Sequence, residues 1–303
     1  MSEVMQKVSA YAKRIEDYME TQLSEMQKDA NGMPIEKLYQ AMRHSLTAGG
    51  KRIRPAMIYA FCEACGGALE NADSSACAME MTHTSSLIFD DLPAMDNDDM
   101  RRGKPSCHKA FGEATAILAG DALICAPFAV LTADSHLTSD QKVMLISTLA
   151  TFEGANGMVG GQQMDMQFET QEKVTLEELQ TMCSGKTGAL MAASCRMGCL
   201  CANGTRKQFQ AAGAYGLLVG IAFQVIDDIL DVTSTEEELG KPIGSDAEEN
   251  KTTFVTLLGI EKAKLYAAEL TKQAHLQLDA AFAEAENLQF LHDLTDELLD
   301  RVK

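Results

Sequence analysis

Two carboxylate-rich segments, DDLPAMD at Asp90–Asp96 and DDILD at Asp227–Asp231, each close an apolar run, and well over a hundred residues separate them. Bunched carboxylates repel one another and lose solvation, so a cation is needed to hold them together. Hard oxygen donors in this number suit Mg²⁺ better than zinc or copper. Arg101-Arg102-Gly103-Lys104 follows the first segment at once, which sets strong positive charge beside strong negative charge. Arginine forks bind phosphate oxygens bidentately, and Mg²⁺ is commonly held by a few carboxylates together with substrate phosphates. A second basic group, GGKRIRP at Gly49–Pro55, has no such acidic cluster beside it. The pattern predicts one diphosphate held with metal and another held without it.

These residues need a scaffold, and the composition limits what it can be. With 303 residues, 46% of them apolar, the chain can bury a large core. A formal charge of −18 argues against nucleic acid or an anionic membrane as the main partner, while small phosphorylated ligands respond to local fields. The N-terminal twenty residues lack the apolar core of a secretory signal, and no uninterrupted apolar stretch approaches the roughly 20 residues of a bilayer span. No transmembrane segment and a cytoplasmic location are therefore expected. The nine cysteines sit mostly in apolar runs, as at Cys125, Cys183 and Cys195, which predicts reduced, buried thiols. Cys62 and Cys65 have a metal-ligand spacing but no matching second pair.

Apolar periodicity predicts helices over 3–28, 35–46, 53–65, 74–91, 113–132, 139–157, 176–201, 206–232, 256–282 and 288–302, with no convincing strand. Breaks fall at Asn31-Gly32-Met33-Pro34, Gly66-Gly67, Gly103-Lys104-Pro105, Gly160-Gly161 and Gly240-Lys241-Pro242, each too short for a domain linker. The expected architecture is all-α, with 1–303 as one domain. The segments around Leu118 and Leu217, apolar nearly all round, belong in the middle of the bundle. On a helix Asp227 and Asp231 share one face. Pro93 ends the preceding helix near Asp90 and leaves Asp96 on a loop that folds back toward it.

The motifs occur in an ordered set: GGKRIRP at Gly49, HTSSLIFDDLPAMDNDDMRRGKP from His83, GGQQMD at Gly160, KTG at Lys186 and FQVIDDILD at Phe223. From about Tyr39 to Lys251 the chain resembles the short-chain trans-prenyl diphosphate synthases, the farnesyl and geranylgeranyl diphosphate synthase family. The resemblance implies mostly antiparallel helices around a deep central cavity, usually in a homodimer. It also implies head-to-tail condensation of an allylic diphosphate with isopentenyl diphosphate, using three Mg²⁺ ions. Carried over by position, Asp90 and Asp96 would hold two ions and Asp227 a third, with Asp91, Asp228 and Asp231 as close partners. Arg101, Lys186, Thr187, Gln224 and Lys241 would contact the allylic diphosphate, while Lys51, Arg54, His83 and Arg102 would hold isopentenyl diphosphate. Lys251 matches a further basic position, and Gln162 and Asp165 are read as polar packing or as tuning the metal's surroundings.

Product length is expected to rest on Ser85, five residues and about 7.5 Å of helix before Asp90, and on its neighbour Ser86. Both are small, which favours a deep pocket and a twenty-carbon product over a fifteen-carbon one, although Ile117, Leu118 or Phe128 could refill the space. Two rival classes are a class I terpene cyclase, whose second motif usually differs from DDxxD, and a non-catalytic subunit of a heteromeric synthase, which commonly lacks one aspartate motif.

Overall fold

The structure, a computed structural model, describes residues 2–233 and 251–299. Its helices, in chain order, are α1 (Glu3–Asp29), α2 (Glu36–Leu46), α3 (Ile53–Ala64), α4 (Asp73–Asp90), α5 (Cys107–Phe111), α6 (Glu113–Ala133), α7 (Ser139–Glu153), α8 (Met158–Phe168), α9 (Leu176–Cys183), α10 (Ala189–Cys201), α11 (Arg206–Thr233), α12 (Phe254–Leu258), α13 (Ile260–Phe282) and α14 (Leu288–Leu299). The class is all-α, with one continuous core running from α1 to α14. α1 follows the amphipathic rule, burying Val4, Val8, Tyr11, Ile15, Met19 and Leu23 at spacings of three and four. Reciprocal side-chain caps fix the starts of α7 (Thr138 with Gln141) and α9 (Thr175 with Glu178).

α3 and α10 are buried nearly all round and pack together, with α4 beside α3 and α11 beside α10. Gly198 allows the closest approach, because a Cβ there would run into the backbone of Ile58 and Cys62. α6 lies on α4, and α13 lies on α11. Mutual packing of these helices positions the two aspartate motifs at the ends of α4 and α11.

Several expectations need correction. The basic Arg101–Lys104 stretch is a minimal antiparallel hairpin, Met100–Arg101 against Lys104–Pro105. Arg102 and Gly103 form its two-residue turn with φ of 53° and 75°, as a turn matched to strand twist requires. Gly160 and Gly161 do not break a helix but lie inside α8: a Cβ on Gly161 would strike the backbone of Gly185 and Lys186, and one on Gly160 the Ala155 carbonyl of the turn that leads into the helix. The segment 176–201 is interrupted by a π-helical turn at Ser184–Gly188.

The helix around Leu118 is not in the middle of the bundle formed by the described residues, since Ile117 and Leu118 are 43% and 58% exposed among them. Cys125 on the same helix is exposed, whereas Cys183 and Cys195 are buried as expected, and all nine cysteines are free. α6 and α11 are also long and apolar enough to cross a membrane by length and composition, because a helix of that length tolerates a single Asp121 or a polar end. Their apolar windows are 44% and 61% buried in the fold.

Candidate active site

Pro93 has the predicted effect: α4 ends at Asp90, and the next turn reverses so that the Asp96 N–H donates to the Asp90 carbonyl at 2.9 Å. Asn97, with φ of 53°, completes the reversal by donating from its N–H to the Leu92 carbonyl. The reversal brings Asp96 close enough to Asp90 for their charges to interact, and Asp90 lines a cavity. Desolvation pushes the Asp90 carboxyl up to about 6, with Lys186 pulling it down and Asp96 pushing it further up. Asp96 is likewise raised by desolvation, against the pull of Lys186 and Lys251. Asp91 plays a different part: it is buried and takes the Arg101 guanidinium through Nε at 2.9 Å, and Arg101 also reaches Asp98 at 3.0 Å.

On α11 the second motif divides in the same way. Asp228 is buried, with Oδ1 accepting from Gln224 Nε2 at 3.0 Å and Oδ2 accepting from the Phe254 N–H at 2.8 Å. Gln224 Oε1 in turn accepts from the Thr187 hydroxyl at 3.5 Å. Asp228 therefore fixes Gln224, which orients Thr187. Asp231 is buried one turn on, while Asp227 lines an open cavity.

Lys186 and Thr187 sit in the π-helical turn, a distortion that often marks functional positions. Glycines make it possible: a Cβ on Gly161 of α8 would strike the backbone of Gly185 and Lys186, and one on Gly220 of α11 would strike Gly188. Lys186 pairs with Asp165 of α8, close enough for a direct ion pair. Sequence periodicity cannot reveal this turn, since it leaves the apolar pattern of 176–201 unbroken. The cluster of small residues, with Gly185 and Gly188 spaced as Gly157 and Gly160 are, was the available signal.

Lys51, Arg54, His83 and Arg102 line one cavity of about 370 Å³ together with Asp227 and Thr187. Burial and the neighbouring Arg54 and Arg102 hold the His83 imidazole well below its usual range, so its Nε2 accepts from Arg54 Nη1 at 3.3 Å. Arg102 donates to the Gly49 carbonyl, tying the hairpin turn to the GGKRIRP loop. Arg52 of that loop is structural: it is fully buried, in a left-handed conformation, and bonds Glu80 at 2.5 Å and the Leu46 carbonyl at 2.8 Å.

A second cavity, about 430 Å³, carries Asp90, Lys186, Ser85 and Ser86 and shares Arg54, His83 and Thr187 with the first. A third, about 110 Å³, joins Lys186, Thr187, Gln224 and Asp228 to Lys251 and Asp165. Thr187 faces all three. Arg101 lines neither large cavity, and Lys241 lies outside the described residues. A further cavity, about 730 Å³ between α11, α13 and α14, contains none of the expected site residues.

The donor set fits Mg²⁺: crowded, partly desolvated carboxylates whose charge is disfavoured without a cation. Among the described residues no three His, Cys, Asp or Glu side chains converge to hold an ion alone. Gln162 lines the 430 Å³ cavity with both amide atoms buried and without a hydrogen-bond partner among the described residues, a polar group awaiting a ligand or water.

Comparison with known proteins gives the same direction. The polyprenyl synthetase family pattern matches residues 35–289. The chain is 46% identical over 243 residues to the chloroplastic geranylgeranyl pyrophosphate synthase of Capsicum annuum, covering 80% of this chain and 66% of that protein, so it spans about two thirds of that relative's length. A geranyltransferase from Legionella pneumophila superimposes with a TM-score of 0.85 at 35% identity, over 99% of this chain and 97% of that one. A geranyltransferase from Helicobacter pylori, solved with magnesium and isoprenyl diphosphate, superimposes with a TM-score of 0.78 at 34% identity, over 99% and 97% of the two chains.

Proposed function

The chain belongs to the polyprenyl synthetase family, and from that premise we propose that it is a short-chain prenyl diphosphate synthase favouring geranylgeranyl diphosphate. It extends allylic diphosphates with isopentenyl diphosphate. The single observation that carries this reading is the placing of the two aspartate motifs on adjoining cavities that share Arg54, His83 and Thr187, with the three cations Lys51, Arg54 and Arg102 lining one of them. A terpene cyclase has no second diphosphate for Lys51, Arg54, His83 and Arg102 to hold. Non-catalytic subunits commonly lack one aspartate motif, and both are intact here.

Asp90, Asp96 and Asp227 would hold Mg²⁺, with three ions expected when substrate is bound. When bound, the metal neutralises charge that develops on the leaving diphosphate as the allylic carbon–oxygen bond breaks. Lys186, with Lys251 nearby, adds fixed positive charge to the same group. The Thr187 hydroxyl and Gln224 amide, oriented through Asp228, flank the allylic cation with dipoles. Lys51, Arg54 and Arg102 hold isopentenyl diphosphate so that its double bond meets that cation, and neutral His83 keeps Arg54 in place. The released diphosphate then accepts the proton lost in forming the new double bond, so no dedicated protein base is needed. The apolar part of the 430 Å³ cavity excludes the water that would quench the cation.

The open apolar face of α6, with Ile117 and Leu118, and exposed Val143 and Met144 of the adjoining α7 support a homodimer built on these helices. A cytoplasmic location is part of the same proposal. Incubating the purified chain with Mg²⁺, isopentenyl diphosphate and each allylic starter tests the function: elongated linear diphosphates are expected. Hydrocarbon or alcohol products would point to a cyclase, and no product to a non-catalytic subunit.

A further inference from the structure

Glu153, the last residue of α7, is a buried acid that the proposed reaction does not use. It lines the 430 Å³ cavity beside the apolar side chains of Ile124, Met158, Val159 and Met166. Only 8% of its surface is exposed, and no hydrogen bond or ion pair to another described residue holds its carboxyl group. A carboxylate against hydrocarbon and without a partner retains water or takes up a proton. Four helices pack on α7: α4, α6, α8 and α10. Of these, only α4 brings titratable groups to the cavity, His83 and Asp90, while Arg54 comes from α3 and Lys186 from the π-helical turn. On α8, Asp165 is paired with Lys186, and on α10, Arg196 lies over the Phe152 and Phe209 rings. Burial pushes the Glu153 carboxyl up to about 7.

We propose that Glu153 is a specificity-determining residue: its carboxyl group and the water it retains form a polar end to the prenyl cavity, against which the growing hydrocarbon chain stops. The inference rests on the synthase reading above. A prenyl tail advancing to Glu153 must strip this water. Stripping costs more when the group is ionised than when it is protonated, so product length responds to pH near neutrality. Ser85 and Ser86 shape the α4 wall of the same cavity by size, whereas Glu153 acts through solvation.

The test compares wild type, Glu153→Leu and Glu153→Gln at pH 6 and pH 8.5, with Mg²⁺, isopentenyl diphosphate and dimethylallyl diphosphate. Products are separated by chain length, and the ratio of the longest diphosphate to the next shorter one is read within each sample. The wild-type ratio is expected to fall as pH rises. Both variants should give a pH-independent ratio, with Glu153→Leu raised about tenfold over wild type at pH 8.5. The Gln variant preserves shape, so it decides the matter if Leu disturbs folding. Variants with the wild-type ratio and the wild-type pH response overturn the proposal while leaving the synthase reading intact. A wild type that makes no elongated diphosphate overturns both.

Discussion

The backbone N–H of Asp96 donates to the carbonyl of Asp90 at 2.9 Å, so one hydrogen bond sets the separation between the outer carboxylates of the first motif. Pro93 cannot continue the helix, and the reversal it forces is what makes a six-residue spacing act as a pair. Asp90→Asn and Asp96→Asn should each lower kcat by about a hundredfold or more, because each removes a charge that holds the leaving-group cations. Circular dichroism should be unchanged, and the Mg²⁺ concentration for half-maximal activity should rise. Wild-type Mg²⁺ dependence in both variants would remove these residues from the metal site.

Gly161 carries no chemistry, yet the site depends on it. A Cβ there meets the backbone of Gly185 and Lys186, and backbone cannot rotate away as a side chain would. Gly161→Ala should cost about 1–3 kcal/mol of stability by overpacking and displace Lys186 and Thr187 together. Thermal unfolding and kcat should both fall, with kcat falling more than the loss of folded protein explains. Normal turnover would show that the π-helical turn tolerates the shift.

The legible parts of the chain were those in which a single residue decides local geometry. Pro93 ended α4, and the spacing of Asp227 and Asp231 put both on one helix. A glycine pair looks the same in sequence whether it makes a turn or lets two backbones touch, so Gly160 and Gly161 resemble a break although they lie inside α8. The π-helical turn at Ser184–Gly188 leaves the apolar periodicity intact, so only packing against α8 and α11 reveals it. The outer face of α6 was read as interior because apolarity tells that a surface will be covered, not by what. Arg52 and Arg54 differ by two residues and carry the same charge. Only the fold separates the one bonded to buried Glu80 from the one that lines both cavities.

His83 makes a pH prediction with a definite sign. Burial and two arginines hold its folded-state value well below the usual 6.5, so the unfolded chain binds this proton first as pH falls. The contribution to stability is therefore fully present above about 6.5 and declines below it. His83→Gln should make the thermal midpoint fall less steeply between pH 6.5 and 5 than in wild type. The KM for isopentenyl diphosphate should rise about tenfold as Arg54 loses its partner, with little change for the allylic substrate. An imidazole that titrates at its ordinary value by NMR would refute the assignment.

Ser85 offers the most direct handle on product length. It is 1% exposed, lines the 430 Å³ cavity and sits on α4 little more than one turn before Asp90. Its hydroxyl donates to the Thr82 carbonyl at 2.7 Å, so its polarity is satisfied within the helix and it presents only a small surface to the cavity. Of the residues expected to refill that space, Ile117 and Leu118 face outward and Phe128 is not among the cavity's lining residues, to which α6 contributes Ile124. Among the lining residues α6 contributes no aromatic ring. Replacing it with tyrosine inserts an aromatic ring into the cavity close to the ionising carbon, and a close-packed interior has little room to yield. Ser85→Tyr should shorten the product by at least one five-carbon unit, lowering the share of the longest diphosphate about tenfold, while the Mg²⁺ requirement stays the same. Chromatography of the products from a dimethylallyl starter reads this directly. An unchanged product spectrum would mean that the tail leaves the ionising centre along another wall.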